Sequence, residues 1–107
     1  MAKFDSSHYL PLTEPTYYIM LSLAEELHGY AIMRKVGEIS SGAVKLGPGT
    51  LYGALAQLVK EGLVSMVRQE KRRKLYLLTI KGRLVLNDQI ERLEVMLNNA
   101  KEVRSRI

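Results

Sequence analysis

Arg68, Lys71, Arg72, Arg73 and Lys74 crowd into seven consecutive positions late in the chain, with Glu70 the one carboxylate among them. Cations so arranged do ionic chemistry with a polyanion. Each Lys or Arg that neutralises a phosphate releases counterions and makes binding fall more steeply with salt. The net charge of the 107 residues is +5, and it is concentrated here. From Lys60 to Arg83 there are eight basic and two acidic residues, whereas the chain before that stretch sums to −1 and the chain after it to zero. A loop that only keeps a protein soluble has the same composition, so the residues that precede the cluster decide between the two readings. At about 100° per residue, Leu51, Ala54, Leu55 and Leu58 gather on one side of a helix, and Gly49, Thr50, Gly53, Ala56, Gln57 and Lys60 on the other. A helical glycine costs about 1 kcal/mol relative to alanine. Turn geometry explains Gly49 but not Gly53, and close approach of a partner explains both. Gln57 suits adenine, Thr50 a phosphate or base edge, and Ala56 a thymine methyl. Tyr52, on the flank, is expected to be half-buried with its hydroxyl at a phosphate, and Lys45 stands just before the helix to join the same surface.

Other chemistries lack their residues. His8 and His28 are far apart, and neither has a carboxylate at metal-ligand spacing. His28, beside Gly29 at a helix start, reads as structural. The Gly47-Pro48-Gly49-Thr50 turn has no lysine at the spacing of a phosphate-cradling loop. No Ser-His-Asp or Cys-His set is present to organise a nucleophile, so no enzyme is expected and no cofactor or metal is called for. A chain with no cysteine fits a reducing cytoplasm. No apolar run of about 18 residues marks a membrane span, and the opening MAKFDSSHYL lacks the layout of a secretory signal. Hydrophobic residues at 47% and charged residues at 25% suit one folded domain.

The elements that must position the polar groups follow from periodicity. Thr13 caps a first helix with Pro15 in its first turn, and Tyr17, Met20, Leu21, Leu23, Ala24 and Leu27 recur at helical spacing. A second helix carries Ala31, Ile32, Val36 and Ile39 and ends at Ser40-Ser41-Gly42. Val44 and Leu46 alternate around Lys45 as a very short strand. The third helix runs from Pro48 to Glu61, with Gly62 as its stop. Two strands, Leu63–Arg68 and Lys74–Thr79, flank a charged link of five residues and make a hairpin. Thr79 then caps a long helix to about Arg106, in which Leu86, Ile90, Leu93, Leu97 and Ala100 follow steps of four and three, a coiled-coil seam. At about 1.5 Å per residue it would be about 40 Å long, more than so small a domain can cover. The fold class is mainly α, a small α+β domain: a winged helix-turn-helix over residues 1–83 and a C-terminal dimerisation helix over residues 84–107. Helices two and three suit the major groove, and the basic hairpin reaches adjacent backbone.

Three blocks, LTEPTYYIMLSLAEELHGYAIMRKV (residues 12–36), LGPGTLYGALAQLVKEGLV (46–64) and LYLLTIKGR (75–83), together resemble the PadR family of bacterial transcriptional regulators, in its compact branch with a single C-terminal helix. The resemblance covers nearly the whole chain. It implies a homodimeric winged-helix repressor of double-stranded DNA with a near-palindromic operator, joined through the C-terminal helix with help from the N-terminal one. It also implies release by a small, often aromatic effector. Tyr17, Leu93, Met96 and Leu97 mark the expected effector pocket, and Tyr17, Met20 or Leu21 the N-terminal share of the dimer contact. Two departures stand out. Drug-binding members of the compact branch stack flat ligands on aromatic residues of the last helix, and this helix has none. Leu77 also occupies a position where the family often has a charge. The rival reading is a winged helix that pairs with another protein and binds no DNA.

Overall fold

The structure, a computed structural model, describes residues 4–107, so the first three positions of the opening segment lie outside the described residues. Helix α1 (Glu14–Ser22) begins where Thr13 Oγ1 accepts the Thr16 amide at 3.4 Å, with Pro15 in the first turn. The apolar spacing continues to Leu27, but the helix does not. Leu23 is its C-cap and is fully buried, while Leu27–His28 forms strand β1. Helix α2 (Gly29–Ile39) follows at once, capped by His28 Nδ1. It ends where Ser41 (φ 53°) and Gly42 (φ 79°) turn left-handed and the Gly42 amide reaches the Gly37 carbonyl at 2.8 Å.

The strand expected at Val44–Leu46 does not form. The Val44 amide is held instead by Ser40 Oγ at 3.0 Å, which fixes the segment as a connector with Val44 buried. Helix α3 (Pro48–Lys60) starts on Pro48 and stops at Gly62, whose φ of 75° suits glycine. The hairpin is tighter than its charges suggest. Strands β2 (Val64–Glu70) and β3 (Arg73–Leu78) pair up to Glu70↔Arg73, so the link is Lys71-Arg72 alone, with Lys71 left-handed at φ 56°. A register shift between Met66 and Arg68 marks a bulge in β2. The antiparallel sheet has the order β1-β3-β2, with Leu27 opposite Tyr76 and His28 opposite Leu75.

Helix α4 (Ile80–Arg104) is tied to the rest by its first turn. Thr79 Oγ1 accepts the Gly82 amide at 2.9 Å and donates to the Gly62 carbonyl at 2.6 Å, while Lys81 Nζ donates to the Glu61 carbonyl at 2.8 Å. Gly82 has a steric reason to be glycine, because a Cβ there would lie 2.0 Å from the Leu63 carbonyl oxygen. The core joins Ile19, Met20 and Leu23 to Ile32, Val36, Leu51, Leu55, Val64, Val85 and Leu86. The segment before α1 lies along α4: the Leu12 amide donates to Gln89 Oε1 at 2.8 Å and the Ser6 hydroxyl to Asp88. From Glu91 onward every residue is exposed. Among the described residues no helix is long and apolar enough to cross a membrane.

Candidate nucleic-acid interface

Burial of Leu51, Leu55 and Leu58 fixes the rotation of α3 about its axis. Gly49, Thr50, Tyr52, Gly53, Ala56, Gln57 and Lys60 are consequently exposed, as is Lys45 before the helix. A Cβ built at Gly49 or Gly53 meets nothing within 4 Å, so this chain's own packing asks for neither glycine. Tyr52 behaves differently from its expected part. It is half-exposed, but its hydroxyl lies against Gly29, where a Cβ would stand 2.2 Å from that oxygen. The ring thus fastens α3 to the first turn of α2, and Gly29 is glycine because Tyr52 occupies its side-chain space. Tyr76 of β3 is close by. Burial, and then the Tyr52 phenol, push its hydroxyl above the usual tyrosine range.

The five hairpin cations divide by what already holds them. Arg68 Nε lies 2.9 Å from Glu26 Oε1 and its Nη1 2.8 Å from Glu70 Oε1. Those two carboxylates raise its guanidinium pKa further and bind it to the chain itself. Arg73 Nη1 lies 3.2 Å from His28 Nε2. Lys71, Arg72 and Lys74 are exposed and form no ion pair among the described residues. Sequence reasoning gave Arg68 to the interface because Glu26, 42 positions away, leaves no local signal.

The cations and α3 share walls. A groove of about 360 Å³ is lined by His28, Gly29, Tyr30, Tyr52, Arg72, Arg73, Lys74 and Tyr76. A second, of about 350 Å³, adds Leu55, Ala56, Val59 and Met66 to Tyr52, Lys74 and Tyr76. The hairpin therefore stands directly beside the exposed face of α3. His28 and Tyr30 were not placed at this surface from sequence, where His28 read as structural, because their nearness to Arg73 spans segments far apart in the chain.

The seam of α4 also divides. Leu86 is 7% exposed and Ile90 is half-buried against the core, so the first turns of α4 already spend most of this apolar surface on the domain itself. Leu93, Met96 and Leu97 are 36%, 57% and 53% exposed, and Ala100 is exposed too. Met20 is fully buried, which removes it from any contact surface. Tyr17 and Leu93 meet in a groove of about 370 Å³ with Leu12, Glu14, Tyr18 and Gln89. Met96 and Leu97, expected in the same pocket, do not line it. Burial, and then Tyr18, raise the Tyr17 pKa.

Residues 19–88 match the transcriptional regulator PadR-like family. A PadR-like transcription factor from Bacteroides fragilis is 28% identical in a structural match covering 82% of this chain and 87% of that one, with a TM-score of 0.68. A PadR family transcription regulator from Clostridium difficile, at 21% identity, shares the fold with a TM-score of 0.72 over 84% of this chain and 97% of its own. A protein of transposon TN4556 from Streptomyces fradiae, described only as an uncharacterized 37.1 kDa protein, is 41% identical over 69 residues. That match takes in 64% of this chain, which spans 19% of that relative's length.

Proposed function

The chain belongs to the PadR-like family of transcriptional regulators, and from that premise we propose that it is a sequence-specific repressor that grips its operator as a homodimer and lets go when a small molecule binds. The observation that carries the proposal is the shared groove. Tyr52 of α3 and the cations Arg72, Arg73 and Lys74 line one surface, so a duplex that admits α3 into its major groove brings its backbone to the hairpin. The exposed side of α3 supplies Thr50, Gln57 and Lys60 as polar readers, and Gly49 and Gly53 let the helix approach closely. Lys71 at the turn, with Lys45 before α3, extends the positive surface.

Dimerisation belongs to the second half of α4. Leu93, Leu97 and Ala100 lie exposed along one stripe, and pairing two such stripes would hold two copies of α3 about 34 Å apart, one turn of the duplex. Occupying a promoter in this way blocks polymerase. An effector acts only by binding one arrangement of the two copies better than the other. The groove at Tyr17 and Leu93 suits it, because that groove adjoins the proposed pairing stripe.

Selecting bound duplexes from random sequence tests the proposal and should return a near-palindrome with half-sites one turn apart. The exposed apolar stripe of α4 also favours the rival reading, a module that pairs with another protein. A salt series separates the two. Duplex binding should weaken steeply with salt, whereas apolar helix pairing should respond little. A sample with no duplex affinity in dilute buffer overturns the proposal.

A further inference from the structure

In the groove between the first turn of α2 and the hairpin, one imidazole lone pair is sought by two donors. A neutral imidazole has one N–H and one lone pair. His28 Nδ1 takes the Ala31 amide at 3.4 Å as the cap of α2, which puts the ring proton on Nε2. Nε2 stands 3.2 Å from Arg73 Nη1, and a guanidinium nitrogen can only donate. In the other tautomer Nε2 accepts from Arg73, and the cap of α2 is lost. One lone pair thus has two claimants. An anionic oxygen beside the pair removes the conflict, because it accepts from Nε2–H and from Arg73 while Nδ1 keeps its cap. The surroundings suit an anion. The groove holds about 360 Å³, and its lining includes Arg72, Lys74 and the 65% exposed Tyr30 but no carboxylate. His28 and Arg73 also line a groove of about 490 Å³ with Glu70, Lys71 and Leu75, and there the Glu70 carboxylate is already engaged by Arg68.

We propose that this groove seats a backbone phosphate of the bound duplex, gripped by His28 and Arg73 with the Tyr30 hydroxyl as a further donor. The site rests on the DNA reading above and adds to it a contact made by α2 and the hairpin together. Phosphate binding selects the Nε2–H tautomer of His28 and so firms the start of α2.

The probe is a short duplex of mixed sequence, titrated by fluorescence anisotropy over a salt series. Arg73→Gln should weaken binding roughly tenfold and make the logarithmic salt slope shallower by about one. His28→Asn keeps a good N-cap but lacks the distal donor, so it should weaken binding about threefold to tenfold with the slope unchanged. Tyr30→Phe should act in the same sense, and at an exposed position it carries the test should His28→Asn unfold by circular dichroism. Arg34→Gln, outside the groove and paired with Glu38, should match the wild type. Imidazole nitrogen shifts should report His28 moving to the Nε2–H form as duplex is added. Wild-type protein that binds duplex while Arg73→Gln and Tyr30→Phe match it in affinity and slope overturns the phosphate seat and leaves the DNA reading standing. Wild-type protein that binds no duplex removes both.

Discussion

Helix α4 carries one apolar period from end to end, yet its two halves meet different surroundings. From Ile80 to Ile90 it lies over the domain, with Gly82, Val85, Leu86 and Gln89 buried. From Glu91 onward nothing among the described residues covers it. Length is the cause: 25 residues make a helix of about 37 Å, and the rest of the domain packs beside it only as far as Ile90. Leaving a large apolar side chain in water forgoes about 1.5–3 kcal/mol of burial, so the stripe of Leu93 and Leu97 is a surface in want of a partner. The hairpin repeats the division in charge. Arg68 is neutralised by Glu26 and Glu70, whereas Lys71, Arg72 and Lys74 have no such partners among the described residues. Residue type and spacing show that a side chain seeks a partner, and reach decides whether its own chain supplies one.

The contrast can be broken most forcefully at Leu86. Leu86→Ala should lower stability by about 2–5 kcal/mol in urea unfolding, as a buried leucine does; a negligible loss would mean that the first half of α4 is not core. Leu93→Asp should leave a folded protein that sediments as a monomer and binds operator roughly 100-fold more weakly, the avidity of a linked pair being lost. A Leu93→Asp protein that stays dimeric refutes the assignment of the second half. Thr79→Ala, at the joint between sheet and helix, should cost about 1 kcal/mol through the lost cap, read as a lower unfolding midpoint. The smallest effects sharpen the hairpin side. Arg72→Ala should make the salt slope of duplex binding shallower by about one. Arg68→Ala should leave that slope unchanged and alter stability little, since its ion pairs are exposed. Equal slopes for the two variants would erase the distinction drawn among the cations.

Much of the fold was legible because it is local. Thr13, Thr79, Pro48, Gly42 and Gly62 act within a few residues of themselves, so the starts of α1, α3 and α4 and the stops of α2 and α3 could be read from their neighbours. The misreadings share a cause. Leu27–His28 continues the spacing of α1 but pairs with Leu75 and Tyr76, far along the chain, and a strand of two residues has no period to show. Val44–Leu46 alternates like a strand, yet it pairs with no strand among the described residues, and Ser40 holds the Val44 amide. The two-residue hairpin turn was hidden because charged residues on paired strand ends look like loop.

The sequence alone determined the order of the four helices and the hairpin, the buried face of α3 and the location of the basic cluster, since helical and strand periods and charge are properties of neighbours. Tertiary structure alone decided which of the alike residues stay occupied at home. Whether Arg68 meets Glu26, Tyr52 meets Gly29 and His28 meets Arg73 depends on distances between segments remote in the chain, and Coulomb attraction and packing act through those distances and not through sequence separation.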